Sequence, residues 1–454
     1  MSVDTICALA TAPGGALGII RISGAQALEI LSRIFSKDLS NAQPNTIHYG
    51  HIVEHDAVSQ HHNIIDEALV SVFRAPHSYT GEDSIEISCH GSRYILNKVL
   101  ELLIQQGCRM AEPGEFTKRA YLNGKMDLSQ AEAVADLIAS SNQATHKIAM
   151  SQLRGHFSSQ LAQLREQLLK LTSLLELELD FSDHEDLEFA DRSELKELTK
   201  TINNHITHLA HSFETGKAIK QGIPVAIIGK TNVGKSTLLN RLLHEDRAIV
   251  SDIHGTTRDT IEDTMELQGI TFRFIDTAGI RQTTDEVEQI GIERTYQAIQ
   301  KARIVLWLID KEPSIEEIDK IKQRTENKKL IIVQNKIDKF DNNSYNLSNQ
   351  PTIPISAKFG TGIDTLEQSI YQAADIPTLN DTDVIVTNAR HYDALVRAQQ
   401  SIQRVIDGLE QQLSGDLLSE DLRLALDQLS EITGGQITPN EVLGNIFKNF
   451  CVGK

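Results

Sequence analysis

The sequence predicts a multidomain protein that combines α/β and α+β architecture with a large helical part. Strand and helix patterns alternate in residues 1–118, which predicts an N-terminal α+β domain. Helical patterns dominate residues 119–216 and 377–454, while a strand, a glycine-rich loop and a helix follow one another within residues 217–376. Because neither helical block looks complete alone, we expect one discontinuous helical domain into which the 217–376 module is inserted.

The N-terminal domain contains short elements and three segments rich in glycine and polar residues, at 13–24, 78–91 and 113–127. Apolar runs predict strands over residues 6–9, 17–22, 68–73 and 84–88, and helical spacing predicts helices over 25–35 and 92–106. The glycine-rich first segment, which leads to Arg21, fits a simple turn as well as a binding loop. Glu86 interrupts a strand pattern, which a solvated strand face explains as well as a ligand contact does.

The helical blocks have clear periodicity. Leucines recur every three or four residues between Leu161 and Leu179, which predicts the apolar stripe of a long helix. Helical patterns return over residues 392–413 and 417–432. Residues 176–194 carry nine acidic side chains and one arginine, which we interpret as a solvated helix end and loop.

A phosphate loop of the form G-x-x-x-x-G-K-S spans residues 229–236. An apolar strand precedes it and a helical pattern follows it, as the motif requires. Gly229 and Gly234 let successive N–H groups point at phosphate oxygens, and the helix adds its positive end. We expect Lys235 to reach the β- and γ-phosphates and Ser236 to bind Mg²⁺. The alternative, a turn that binds nothing, does not account for the complete motif with both flanks.

Two later segments predict which base is bound. Asn335-Lys336-Ile337-Asp338 follows an apolar strand, and the Asp338 carboxylate can accept hydrogen bonds from both N1–H and the 2-amino group of guanine. Adenine cannot offer this pair of donors. Ser356-Ala357-Lys358, after another strand, is the usual second wall of a guanine pocket. The predicted nucleotide is therefore GTP.

Between these segments lie the candidate switch residues. Asp276-Thr277-Ala278-Gly279 follows a strand and offers a carboxylate for the Mg²⁺ shell and a glycine amide for the γ-phosphate. Thr257 is the candidate switch residue that contacts Mg²⁺. The order and spacing of these motifs predict an inserted Ras-like P-loop GTPase domain. The predicted GTP-contacting residues are Asn232, Val233, Gly234, Lys235, Ser236, Thr237, Ser251, Thr256, Thr257, Asp276, Thr277, Ala278, Gly279, Asn335, Lys336, Asp338, Ser356, Ala357 and Lys358.

Length and composition limit the remaining possibilities. At about 150 residues per domain, 454 residues predict two to four domains. With no signal-peptide pattern and no apolar run of membrane-spanning length, we expect a cytoplasmic protein that does not associate with membranes. The four cysteines have no C-x-x-C spacing, which predicts reduced thiols. A net charge of −18 disfavours a broad grip on nucleic acid, so an RNA substrate requires local basic patches or a partner protein.

Together, these motifs resemble those of the bacterial tRNA-modification GTPase family (MnmE, also called TrmE). The resemblance covers the whole chain, and its segments include 18–24, 79–83, 113–116, the GTPase motifs and Phe450-Cys451-Val452-Gly453-Lys454. It implies a K⁺-dependent GTPase that takes part in modifying the wobble uridine of certain tRNAs with a 5-carboxymethylaminomethyl or aminomethyl group. It also implies a homodimer formed through the N-terminal domain, and an FAD-dependent partner (MnmG) in a heterotetramer or larger complex. The same domain would hold 5-formyl-tetrahydrofolate or a related one-carbon folate.

The resemblance also implies roles for single residues. At the folate it places Arg21, Glu86, Lys125 and Lys454. A carboxylate suits the N–H groups of a pterin, and cationic side chains suit carboxylate tails. Cys451 is assigned to the modification chemistry, with a buried packing thiol as the alternative. Two departures stand out: the 13–18 loop is one residue shorter than usual, which leaves its folate contacts open, and Lys230-Thr231 replaces the common Arg-Pro without changing a phosphate ligand.

GTP hydrolysis needs a group other than the usual glutamine, because Ile280 follows the Asp-x-x-Gly motif. The resemblance selects Glu288 as the carboxylate that positions water, against the alternative of a solvated acid in a loop. It also implies a K⁺ ion beside the β- and γ-phosphates. Its ligands would be the Asn232 side chain and the main-chain oxygens of Ser251, Ile253 and Thr256.

A different class of protein, a regulatory GTPase switch in ribosome assembly without modification chemistry, explains residues 217–376 equally well. It leaves the N-terminal domain and the Cys-x-Gly-Lys segment unexplained. It also predicts a basic RNA-binding domain, which the overall acidic charge of this sequence disfavours.

Overall fold

The structure is a computed structural model that describes residues 4–55, 62–180, 192–244, 263–275, 296–339, 351–377, 380, 382–435, 440–448 and 450–453. The chain divides into two compact units. The first comprises Met1–Ala139, Ala149–Ile206 and Asp393–Lys454, and the second comprises Ser140–Ile148 and Thr207–Tyr392.

The first unit begins with a six-stranded sheet. The elements are β1 (Ile6–Leu9), β2 (Leu17–Ser23), α1 (Ala27–Ser32), β3 (Thr46–His55), β4 (His62–Phe73), β5 (Ser84–His90), α2 (Arg93–Gln105) and β6 (Arg109–Met110). Strand order is β3-β4-β5-β2-β1-β6, antiparallel except for the parallel pair β1 and β6. Alternate apolar residues, such as Ile20 and Ile22 on β2, are buried with the apolar faces of α1 and α2. This arrangement confirms the predicted α+β class.

In the N-terminal sheet, the sequence patterns miss two strands, β3 and the two-residue β6, and shorten another. β3 lacks a predicted counterpart because three histidines and a glycine interrupt its apolar residues. β4 starts at His62, well before the predicted 68–73 segment. Both strands are long because each is paired along nearly its whole length with the other, and this pairing stabilises residues whose own apolar pattern is weak.

The helices of the first half follow the sheet along the chain. They are α3 (Glu115–Leu122), α4 (Leu128–Ala139), α5 (Gln143–Leu153), α6 (His156–Asp180) and α7 (Arg192–Gln221). The predicted leucine stripe lies on α6, where every described member from Leu161 to Leu175 is buried. Leu179 is on the same helix, but its burial is not described.

The second unit is built on a six-stranded sheet with helices on both sides. Its elements are β7 (Ile223–Gly229), α8 (Lys235–His244), β8 (Asp263–Leu267), β9 (Ile270–Phe274), β10 (Ile304–Ile309), α9 (Ile315–Arg324), β11 (Lys329–Gln334), a 3₁₀ turn (Ile337–Lys339), β12 (Thr352–Pro354) and α10 (Ile363–Ala373). Strand order is β12-β11-β10-β7-β9-β8, parallel except for β8 against β9. All six residues of β10 are buried, as expected for a strand covered on both faces. Loops that follow β7, β10 and β11 therefore meet at one edge of this sheet.

The last helices are α11 (Ala389–Glu410), α12 (Gly415–Thr433) and α13 (Asn440–Phe447). α12 packs on both α6 and α4, so helices from before and after the inserted segment form one helical layer. This packing agrees with the predicted discontinuous helical domain. Among the described residues, we find no helix with the length and apolar character needed to cross a membrane.

The predicted domain limits at 118/119, 216/217 and 376/377 stay predictions. α3 and α7 run without a break across the first two limits. In the second unit, the Val386 N–H donates to Ser212 Oγ at 3.0 Å, and the rings of Phe213 and Tyr392 stack 4.4 Å apart. These contacts explain why this unit extends beyond residues 217–376 on both sides.

Candidate nucleotide site and N-terminal ligand site

The phosphate loop joins β7 to α8 at the carboxyl edge of the parallel strands. Gly229 and Gly234 have φ angles of +148° and +102°. A Cβ atom on Gly229 would lie 2.4 Å from the Leu308 carbonyl oxygen, and one on Gly234 would lie 2.3 Å from Asn335 Nδ2. Only glycine fits at both positions, so the loop backbone can curl closely against its neighbours.

Lys235 is held inside this loop. Its Nζ donates to the carbonyl oxygens of Gly229 and Lys230, at 2.8 Å each. Burial lowers the pKa of the Lys235 ammonium below its usual value. Ser236 and Thr237 follow it in the first turn of α8, where helix N–H groups favour anions. The loop therefore offers the cation, the hydroxyls and the N–H groups that a polyphosphate requires, although their contacts with GTP stay predictions.

Asn335 connects the phosphate loop to the predicted base pocket. This buried side chain donates from Nδ2 to the Val233 carbonyl oxygen at 2.8 Å and accepts the Ala357 N–H at Oδ1 at 3.0 Å. Arg241 Nε donates to the Ala357 carbonyl oxygen at 3.3 Å, and so holds the same segment from another side. One amide thus fixes the loop, the end of β11 and the Ser356-Ala357-Lys358 segment together.

Asp338 lies beside this segment. Ser356 Oγ donates to Asp338 Oδ1 at 2.6 Å, and this hydrogen bond lowers the pKa of the Asp338 carboxyl. Lys336 Nζ donates to the Asn232 carbonyl oxygen at 2.6 Å and contacts Asp310 at 2.7 Å, which ties the Asn335–Asp338 segment to the loop tip. The arrangement holds an ionised carboxylate ready to accept two N–H donors.

Arg21 lies at a second candidate site, in the N-terminal sheet. β2 and β5 place Arg21 directly opposite Glu86, and Nε and Nη2 of Arg21 both donate to Glu86 Oε1, at 3.0 and 2.7 Å. Arg21 Nη1 donates to the Gly453 carbonyl oxygen at 3.2 Å. The guanidinium carbon lies 5.6 Å from the centre of the Tyr79 ring. Segments far apart in sequence therefore meet at Arg21.

Lys125 and Cys451 lie in the same unit. Lys125 Nζ donates to the Pro76 carbonyl oxygen at 2.9 Å, in the loop whose Tyr79 ring lies beside Arg21. The Cys451 carbonyl oxygen accepts the Gly114 N–H at 3.3 Å. The alternative of a buried packing thiol for Cys451 is wrong, because its side chain is exposed.

Two family models match this chain. One is described as "GTP-binding protein TrmE N-terminus" and matches residues 5–125, and the other as "MnmE helical domain" and matches residues 128–451. The chain belongs to the MnmE family. Three curated proteins named tRNA modification GTPase MnmE support this assignment. The one from Bacteroides fragilis is 56% identical over 473 residues and covers 100% of both chains. Those from Phocaeicola vulgatus and Flavobacterium johnsoniae are 55% and 51% identical and cover 99% of both chains.

Membership of the MnmE family confirms that the chain is a GTPase, and it confirms the predicted fold class of an N-terminal domain, a helical domain and a P-loop GTPase domain. Several predicted site residues of this MnmE-family chain lie outside the described residues, so their roles stay predictions. They are Ser251, Ile253, Thr256, Thr257, Asp276, Thr277, Ala278, Gly279, Glu288 and Lys454.

One charged cluster of this MnmE-family chain is absent from the sequence predictions. Arg119, whose side chain is only 5% exposed, forms ion pairs with Asp4, Glu82 and Glu115 at 2.9, 3.1 and 3.0 Å. Arg109 pairs with the same Asp4 and Glu115. We call these five residues the Arg119 cluster. It ties the 78–91 segment to the 113–127 segment. Its sequence signal is the four-residue spacing of Glu115 and Arg119, which predicts a helical ion pair but not its burial.

Proposed function

We propose that this GTPase acts with an FAD-dependent partner, MnmG, to modify the wobble uridine of certain tRNAs. The product is of the 5-carboxymethylaminomethyl or aminomethyl type, and a one-carbon tetrahydrofolate supplies carbon. The observation that carries the proposal is the meeting of Arg21, Glu86 and Gly453 in the N-terminal sheet. A ribosome-assembly switch would explain only the nucleotide site and would leave this second site without a role.

The Arg21 site fits folate by its donors and acceptors. Glu86 Oε1 takes both guanidinium hydrogen bonds, so Oε2 can accept a pterin N–H. The exposed ring of Tyr79 lies 5.6 Å from the Arg21 guanidinium carbon and offers apolar surface for a planar ligand. The ring of Phe116 lies 5.7 Å from the same carbon but is fully buried in the core. Lys125 and Lys454 would pair with carboxylates of the ligand tail. Bound folate would supply the one-carbon unit, while these residues hold and orient it.

Replacing Arg21 or Lys125 by alanine is expected to weaken binding of 5-formyl-tetrahydrofolate to the full chain. Each loses one charge-assisted interaction, worth about 1.5–3 kcal/mol, or roughly a 10- to 100-fold change in affinity. Isothermal titration calorimetry measures this affinity directly. Arg33→Ala is the matched control, because Arg33 is an exposed arginine of the same domain, paired with Glu29. Wild-type affinity in both Arg21→Ala and Lys125→Ala would remove these residues from the site.

Two metal ions complete the proposed nucleotide site. Among the described residues, no group of three His, Cys, Asp or Glu side chains could hold a metal ion. Ser236 and Thr257 would hold Mg²⁺. Asn232, at the exposed loop tip, would give K⁺ a neutral oxygen, together with the main-chain oxygens of Ser251, Ile253 and Thr256. K⁺ would supply positive charge beside the β- and γ-phosphates.

We expect single-turnover GTP hydrolysis to be faster in KCl than in NaCl, and Asn232→Ala to lose this difference. Glu288→Ala is expected to slow hydrolysis about 10²- to 10⁴-fold in either salt, since it removes the group that positions water. Glu312→Ala, at an exposed acid of the same unit, is the control. Equal rates in the two salts, or wild-type hydrolysis by Glu288→Ala, would refute this mechanism. K⁺ should also promote pairing of two GTPase domains across the nucleotide, which fluorescence energy transfer between labels on the two domains detects.

The proposed function as a whole is tested by mass spectrometry of wobble uridines in tRNA from a deletion strain. We expect the modification to disappear and to return with the plasmid-borne wild-type gene. If the deletion strain contains as much modified wobble uridine as the parent strain, the proposal is contradicted.

A Cys451→Ser gene in the same strain tests the exposed thiol, which we propose takes part in the modification chemistry. Full restoration by that gene would leave Cys451 without such a role.

A further inference from the structure

Cationic side chains gather at one edge of the second-unit sheet, on the side opposite the nucleotide site. The six residues are Lys301, Arg303, Lys322, Arg324, Lys328 and Lys329, and we call them the basic edge. β10 and β11 are parallel and begin with the paired residues Ile304 and Lys329, so the basic edge lies at their amino ends. Asn335 follows the carboxyl end of β11, about 20 Å from Lys329 along the strand.

A hydrogen bond and a shared cleft connect four members of the basic edge: Arg303, Lys322, Lys328 and Lys329. The Lys329 N–H donates to the Arg303 carbonyl oxygen at 3.1 Å, and Lys328 Nζ donates to the Gln300 carbonyl oxygen at 2.9 Å. Lys322, Lys328 and Lys329 line a single surface cleft. The residues that approach from α9 and from the strands therefore belong to the same patch.

The charge of the basic edge is only partly offset. Glu326 lines the same cleft, and Asp375 lies 3.5 Å from Lys329 Nζ, in a pair whose side chains are 56% and 74% exposed. Such an exposed pair is weak and is easily exchanged for another anion. At the cleft, Lys322, Lys328 and Lys329 outnumber these two carboxylates, in a chain whose net charge is −18. A polyanion would be attracted here and repelled by the chain as a whole.

Arg324 favours RNA over an acidic protein as the polyanion. Its guanidinium carbon lies 3.4 Å from the centre of the Tyr296 ring, so the two planar groups are in contact. Arginine planes and aromatic rings are the surfaces on which unpaired bases stack, and lysines beside them neutralise phosphates. We propose that the basic edge is a tRNA-binding surface, with the RNA backbone phosphates at Lys322, Lys328 and Lys329. This inference rests on the proposed function, which makes tRNA the substrate.

The test measures binding of total tRNA to the full chain across a series of KCl concentrations. The triple variant Lys322→Gln, Lys328→Gln, Lys329→Gln removes three charges without reversing any. We expect its tRNA affinity to fall at least about tenfold, and the slope of log K against log salt to become shallower by about 2. The matched control is Lys37→Gln, Lys170→Gln, Lys200→Gln, which removes three charges from exposed lysines of the first unit. The control is expected to keep the wild-type slope.

Lys328 also holds the Gln300 carbonyl, so the triple variant is checked by circular dichroism and thermal unfolding. If it does not fold, the double variant Lys322→Gln, Lys329→Gln replaces it, with an expected slope change of about 1.5. Wild-type affinity and slope in the variant, or an equal loss in the control, overturns the inference. Loss of binding to the FAD-dependent partner with normal tRNA binding also overturns it and assigns the surface to a protein. Failure of the proposed function is a different result. It would be seen in the deletion strain, whose wobble uridines would keep their modification.

Discussion

Replacing Arg119 by methionine is expected to lower the free energy of unfolding of the first unit by about 3–5 kcal/mol, the usual cost of removing one partner from a buried ion pair. The buried guanidinium contacts the carboxylates of Asp4, Glu82 and Glu115, and methionine would leave them without this partner. Urea unfolding followed by far-UV circular dichroism measures the loss. The single tryptophan, Trp307, lies in the second unit, so its fluorescence is expected to report an unchanged transition there.

The control for this variant is Arg404→Met, because Arg404 is half-exposed and pairs with Asp421. Its expected cost is below about 1 kcal/mol. If Arg119→Met unfolds at the same urea concentration as wild type, the cluster does not stabilise the unit. If the Trp307 fluorescence transition of Arg119→Met also moves to a lower urea concentration, the two units unfold together.

The Arg119 cluster also predicts a pH dependence. Burial raises the pKa of the Glu115 carboxyl, but hydrogen bonds from Arg109, the Glu112 N–H and Arg119 outweigh burial and hold this pKa below its usual value. A lowered pKa in the folded state stabilises the fold above the unfolded-state pKa, about 4.3. This stabilisation is lost as the pH falls through the folded-state pKa. Wild type and Arg119→Met are therefore expected to differ most near neutral pH and to converge below about pH 4.

Asp338→Asn is expected to weaken GTP binding about 10²- to 10⁴-fold, because two hydrogen bonds to a carboxylate contribute about 1.5–3 kcal/mol each. Binding of xanthosine triphosphate should improve, since its 2-oxo group accepts the asparagine N–H. The Ser356 hydroxyl can still donate to the asparagine oxygen, so the local fold is expected to survive.

Both affinities can be measured by displacement of a fluorescent guanine nucleotide. Asp364→Asn, at an exposed acid of the same unit, is the control. An unchanged GTP affinity in Asp338→Asn would mean that another residue recognises the base.

The sequence predicts local motifs well and long-range contacts poorly. The phosphate loop is readable because its strand, glycines and helix are adjacent in sequence, and the structure places them as expected. The pairing of Arg21 with Glu86 depends on the register of two strands that are 65 residues apart, which no local pattern encodes. Arg119 looks like an ordinary helix-surface arginine, and only the fold shows that it is buried. The link from Asn335 to Val233 is likewise visible only in three dimensions.

The hydrogen bond from Arg21 to the Gly453 carbonyl oxygen constrains the order of events during synthesis. The two residues are 432 positions apart, so at usual translation rates roughly 20–90 s separate their emergence from the ribosome. The strands around Arg21 can pair with one another long before Gly453 is made. A nascent chain interrupted after β6 would still hold the N-terminal sheet, but with an unfinished ligand site. Only ribosomes that translate past the second unit can therefore release a chain in which this contact forms.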